Sequence, residues 1–111
     1  MSSMKIRLVS AATTNLTLVK QSGANLRGVI AINTNVAARF LKFYDAADTV
    51  TVGTTVPVLT LQLPASSQTT IFPSDGISFK NTMSLATTVL VADSDTSAVG
   101  AGDIVVTVLF E

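Results

Sequence analysis

Asp93-Ser94-Asp95-Thr96, followed by Asp103, is the only acidic cluster in the chain. Carboxylates two residues apart can share a Ca²⁺, a hard ion that takes six to eight oxygen ligands. The EF-hand spacing is missing, with no glycine at its sixth position and no bidentate glutamate at its twelfth. The same residues suit a solvated turn whose aspartates cap local N–H groups. Asp93, Asp95 and Asp103 are therefore weak metal candidates, and no metal or cofactor is expected. Catalysis has less to work with, because the chain contains no His and no Cys. That removes the commonest general base, the thiol nucleophile, disulfides and the usual zinc ligands. Ser and Thr are plentiful, but activation by lysine needs a desolvated Lys beside the nucleophile. Asp75 with Asp93, or Asp93 with Asp95, would suit glycoside hydrolysis only in a cleft, usually with aromatics to grip the sugar. Aromatics make up 5% of the chain and Trp is absent. Gly100-Ala101-Gly102 precedes a strand rather than a helix, so it is a loop and not a phosphate cradle. No enzyme is expected.

A second constellation is mixed cationic and aromatic. Arg39, Phe40, Lys42 and Tyr44 share one strand, and Arg and Tyr anchor interfaces disproportionately. Together with Arg27 they are the interface candidates. The competing reading is an exposed sheet face with Lys and Arg stems lying over apolar neighbours. Composition favours contact with other chains: 48% of residues are hydrophobic and only 13% charged, about half the usual charged share. So much uncharged surface on a small chain points to a homo-oligomer. Zero net charge without a basic run argues against nucleic acid. No apolar run is long enough to span a membrane. Met1 to Val9 lacks the apolar stretch and cleavage site of a signal peptide, so the product is expected to stay in the cytoplasm of the cell that makes it.

The elements that must position these residues read as strands. At 111 residues a single domain spanning 1–111 is expected, with 1–9 an N-terminal arm or extra strand. Lys5 to Val9 alternates Lys5, Arg7 and Val9 against Ile6 and Leu8. Thr13 to Lys20 places Leu16 and Leu18 on one face. Asn25 to Asn35 places Leu26, Gly28, Ile30 and Ile32 on one side, with Gly28 marking a bulge or a close backbone approach. Asn33-Thr34-Asn35 is a turn. Ala37 to Tyr44 is apolar on both faces, as in a central strand or one under a neighbouring subunit. Asp45 to Thr55 is a loop, with Ala46-Ala47-Asp48 a candidate helical turn. Val56 to Leu63, Thr69 to Phe72, Gly76 to Lys80, Met83 to Val91 and Asp103 to Phe110 complete the set. Leu41, Phe43, Leu59 and Leu61 are assigned to the core. About eight short strands divided by Gly, Pro, Asn and Ser turns describe an all-β antiparallel sandwich, Ig-like or jelly-roll-like. A small closed barrel is the rival.

Charge is distributed unevenly along the chain. Six of the seven cations precede Tyr44, and all seven acids follow it. If strands from both halves interleave, the surface is simply mixed. If they do not, the subunit has a positive and a negative side, complementary when copies meet heterologously.

Ser10-Ala-Ala-Thr-Thr-Asn15 with Leu18-Val-Lys20, Gly28-Val-Ile-Ala-Ile-Asn33-Thr-Asn35 and Ala38-Arg39-Phe-Leu41-Lys42-Phe-Tyr44-Asp45 resemble a family of small virion-associated proteins of tailed bacteriophages. The likeness continues through Thr51-Val-Gly53-Thr-Thr-Val-Pro57-Val-Leu-Thr60, Phe72-Pro73, Asp75-Gly76-Ile77 and Leu85-Ala-Thr-Thr88. It ends with Ala92-Asp-Ser-Asp95-Thr and Asp103-Ile-Val-Val106. The resemblance implies a phage structural protein in the virion. A capsid decoration or cement protein is one expectation, acting as a homotrimer against the major capsid protein. A tail, neck or fibre component contributing to host attachment is the alternative.

Overall fold

β-Branched residues are stiff at χ1 and pack well on a pleated surface, and most Thr- and Val-rich segments form strands, the exception being 49–58, which is loop. The computed structural model describes residues 4–111. It contains nine strands: β1 (Met4–Val9), β2 (Thr17–Lys20), β3 (Ala24–Asn33), β4 (Arg39–Tyr44), β5 (Leu59–Leu63), β6 (Ser67–Ile71), β7 (Ile77–Phe79), β8 (Met83–Thr88) and β9 (Ile104–Phe110). No helix forms among the described residues. The candidate helical turn at Ala46-Ala47-Asp48 is a plain bend.

The strands form two antiparallel sheets. Sheet A runs β1-β9-β3-β6, with the short β7 also paired to β3, and sheet B runs β2-β8-β4-β5. Strands β1 to β4 alternate between the sheets, β4 and β5 make a hairpin, and β8 and β9 return to lie between β2 and β4 and between β1 and β3. Two interlocked Greek keys of this kind are a jelly roll. The sandwich is therefore of the jelly-roll type, neither Ig-like nor a closed barrel. Met4–Val9 is an edge strand of sheet A, bonded along its length to β9.

The core lies between the sheets. Leu26, Val29 and Ala31 of β3 and Ile104, Val106 and Val108 of β9 face Leu41 and Phe43 of β4 and Met83 and Leu85 of β8, all buried. Phe43 meets Phe79 edge to face, with ring centroids 6.2 Å apart, a favoured aromatic geometry. Leu41 and Phe43 are core residues as expected, whereas Leu59 and Leu61 are half-buried and pack at its margin. Strand β5 begins at Leu59 rather than Val56, although the Val58 N–H already donates to the Phe43 carbonyl at 2.8 Å.

One face assignment differs from the sequence expectation. The β3 ladder slips between Leu26 and Gly28 against β9. Leu26 points inward, and beyond the bulge Val29, Ala31 and Asn33 do so, leaving Ile30 and Ile32 outside. A bulge inserts one residue, and one residue inverts every side chain after it. Gly28 is also a close approach, since a Cβ there would stand 2.5 Å from the Phe72 ring. At β2 the face of Leu18 and the preceding Leu16 is the exposed one, while Asn15 before the strand is buried and Val19 packs on the core.

Candidate functional site

The outer face of sheet B is covered. Phe40, Lys42 and Tyr44 alternate with the core-facing Leu41 and Phe43, so they point away from the core. The segments 45–58 and 89–103 fold across them. Tyr44, Val50 and Ala86 form a second apolar cluster, flanked by Ala46 and Val52. The two segments meet where Gly53, at φ +92°, lies against Thr96 and the Ser94 carbonyl, leaving no room for a side chain. Lys42 is fully buried beneath them, and its Nζ donates to the Ala92 carbonyl at 2.6 Å. Burial pulls the Lys42 ammonium below the usual lysine range, against the opposing attraction of Asp95 and Asp93. Tyr44 is fully buried too, and its Oη has no hydrogen-bond partner. Burial, reinforced by Asp93, pushes its phenol up.

This placement corrects the interface reading for Lys42 and Tyr44. Lys42 and Tyr44 offer a partner nothing in the single chain. Sequence reasoning takes a cation and a phenol as surface residues because they rarely bury, and it has no means of seeing the loops that close over them. Phe40 and Arg39 are half-buried. Arg39 donates from Nη1 to the Ala38 carbonyl at 2.9 Å, and its Nε is buried without a partner.

The acidic residues are employed locally. Asp95 Oδ2 accepts from the Leu90 N–H at 3.0 Å and from Ser97 Oγ at 2.5 Å. Burial raises its carboxyl, but the Ser97 and Leu90 bonds and the nearby Lys42 outweigh that and hold it below the usual range. Asp103 Oδ2 accepts from Asn35 Nδ2 at 2.9 Å and from the Gly100 N–H at 3.1 Å. Asp93 is exposed. Asp93, Asp95 and Asp103 are not brought together, and no group of three metal-ligating side chains exists among the described residues.

The outer face of sheet A is a different surface. Ladder register places Val9, Val105, Ile32 and Gln68 in one row, Arg7, Thr107, Ile30 and Thr70 in the next, and Lys5, Leu109 and Gly28 in a third. The half-exposed Phe72 ring caps Gly28. All three rows alternate with core residues, so they point outward together. Along them Val9 and Ile32 are exposed and Ile30, Val105, Thr107 and Leu109 half-buried. The face is apolar and threonine-rich at its centre, with Lys5 and Arg7 along the β1 edge. Arg27, whose Nε lies 3.1 Å from Glu111 Oε1, stands at one end. Of the interface candidates, only Arg27 belongs to this face. Lys5 and Arg7 were legible as one face of an alternating strand, but nothing local marks that face as uncovered.

Sheet B carries a groove of about 590 Å³ on its covered side, between Leu16 and Leu18, just before and within β2, and Ala47, Asp48 and Val50 of the 45–58 segment.

No family model matches the chain, and no curated protein matches it. Among solved structures, it is similar to a chain of the Bacillus endospore appendages, described as disulfide-linked pili, at 12% identity and a TM-score of 0.49, covering 98% of this chain and 85% of that one. It is similar to the coat protein of Tobacco streak virus at 8% identity and a TM-score of 0.42, covering 98% and 84%. It is also similar to the virus-like particle protein of the Macrobrachium rosenbergii extra small virus at 10% identity and a TM-score of 0.40, covering 98% and 75%.

Proposed function

We propose that this chain is a bacteriophage virion structural protein that decorates or cements the capsid, acting by protein–protein contact and not by catalysis. The observation that carries the reading is the outer face of sheet A: four hydrogen-bonded strands whose outward rows are apolar or threonine at the centre and edged by Lys5 and Arg7 on β1 and Gln68 on β6, with Val9, Ile32 and Phe72 exposed. A face of that kind on a chain with 13% charged residues gains free energy by being buried against other protein. The sequence resemblance to tailed-phage virion proteins supplies the setting. The jelly roll is compatible with it, being common to viral capsids, lectins and cupins, and does not itself choose a function. On this reading the partners are further copies of the chain and the major capsid protein.

Copy number in purified particles, measured by quantitative peptide mass spectrometry against the major shell protein, tests the proposal. A ratio near that of the shell protein is expected. A copy number far lower would transfer the chain to the tail, neck or fibre, and absence from particles would overturn the virion reading altogether.

A further inference from the structure

The outer face of sheet A and the loop-covered side of sheet B lie on opposite sides of one sandwich, and their charges are opposite. Sheet A shows Lys5, Arg7 and Arg27 against the single acid Glu111, a balance of +2. Over sheet B itself lie Asp48, Asp93 and Asp95 against Lys42 alone, which is sealed beneath the loops, a balance of −2. Asp45 and Asp103, at the ends of the same segments, accept respectively from the Lys80 and Asn81 N–H groups and from Asn35. Apolar character is matched as well. Phe72, 57% exposed, and Ile32 stand on the basic face, and the groove beside Leu16 and Leu18 recesses the acidic one.

We propose that the occupant of the basic sheet-A face is the acidic loop-covered side of a second copy of this chain. Such a contact is heterologous, since the two patches differ, and leaves one of each free on every pair. Opposite faces of one sandwich propagate copies in open rows rather than closing the homotrimer expected from the sequence. Four strands about 4.8 Å apart, paired over five to seven residues, give a face roughly 20 Å square. That is about 400 Å² on each partner and about 800 Å² in all, below the roughly 1,200 Å² at which stable interfaces begin, so the association is weak and steered by charge. The inference concerns the free chain and stands whether or not the chain belongs to a virion.

Sedimentation velocity over a concentration series tests it, with two double variants whose folding is checked by their thermal midpoints. Lys5→Glu with Arg7→Glu turns the basic face acidic. Asp48→Lys with Thr49→Lys turns the acidic side basic and leaves Asp93 and Asp95, beside Lys42, untouched. The wild-type sedimentation coefficient is expected to climb with concentration without a plateau, and its apparent Kd to rise about tenfold between 50 and 500 mM NaCl as charges are screened. Each variant alone should stay monomeric, and an equimolar mixture should associate again, because each then presents the charge that the other lacks. Three results would overturn the proposal: a wild-type chain that stays monomeric, a plateau at dimer or trimer, or a loop-side variant that associates like wild type. The last would mean that sheet A meets sheet A.

Discussion

Lys42 is the residue that sets this sandwich apart, because it buries a cation where a leucine would do. Its Nζ has one carbonyl partner, that of Ala92, and two aspartates in the same loop. Replacing a buried charge by an apolar side chain of similar volume is often neutral or stabilising. Lys42→Met is therefore expected to match or exceed wild-type stability at pH 7 in urea unfolding. The alkaline limb gives a sharper check. With its pKa lowered by burial, Lys42 is protonated in the unfolded chain but not in the folded one, between the lowered value and the ordinary lysine value of 10.5. Stability rises with pH across that window. Tyr44 acts in the opposite sense: its raised pKa keeps a proton in the folded state that the unfolded chain loses, so stability falls as pH climbs above about 10. Lys42→Met should abolish the rise and Tyr44→Phe the fall, and an unchanged limb in either would mean that its side chain is solvated. On the other face of the same strand, Leu41 is fully buried, and Leu41→Ala should cost about 2–5 kcal/mol. That inward alternation was readable from the sequence. The fate of the outward residues was not, because it depends on loops some ten and fifty residues further along the chain.

At the scale of the element, two asparagines do what turn composition alone could only suggest. Asn33 closes β3, is 1% exposed, and donates through Nδ2 to the carbonyls of Leu63, Ala37 and Pro64 at 2.9–3.2 Å, tying the end of sheet A to the β5–β6 turn. Its Oδ1 accepts from the Asn35 N–H at 2.9 Å. Asn15, at φ +56°, plays the matching part before β2, with Nδ2 reaching Thr87 Oγ1 of β8 at 2.9 Å. Asn33→Ala leaves buried carbonyls without donors and should cost about 2–3 kcal/mol in urea unfolding. Asn33→Asp should be no better, since a carboxylate has no N–H to offer them. A cost near zero for both would mean that water replaces the amide. A turn after β3 was legible from the residue types of Asn33-Thr34-Asn35, as was the bulge at Gly28. What the bulge did to the faces was not. Leu26, Ile30 and Ile32 obey a period of two on paper, and only the slipped ladder against β9 shows that one inserted residue divides them.

For the whole molecule, the separation of charge along the chain becomes a separation through its thickness by an indirect route. Early and late strands alternate within both sheets, which by itself would mix the signs. They stay apart because Lys5, Arg7 and Arg27 occupy outward positions on sheet A, whereas Asp48, Asp93 and Asp95 sit in the segments laid over sheet B. Neither the layer of each strand nor the path of each loop is written in local pattern, so composition showed the asymmetry and topology decided its direction. The consequence is a molecule whose folding and association answer differently to salt. Among the described residues the one ion pair is Arg27 with Glu111, with side chains 37% and 19% exposed. Such a pair contributes roughly 0–1 kcal/mol. Folding rests on the apolar layer between the sheets, which added NaCl at these strengths barely alters. In protein dilute enough to be monomeric, raising NaCl from 50 to 500 mM should therefore leave the urea midpoint nearly unchanged, and Arg27→Ala should cost less than about 1 kcal/mol. Contact between opposite faces of two copies brings charges of unlike sign together across solvent, and the same salt step should weaken it. Monomer stability that fell steeply with salt would place the charges inside the folding free energy and leave no reason for the two faces to seek each other.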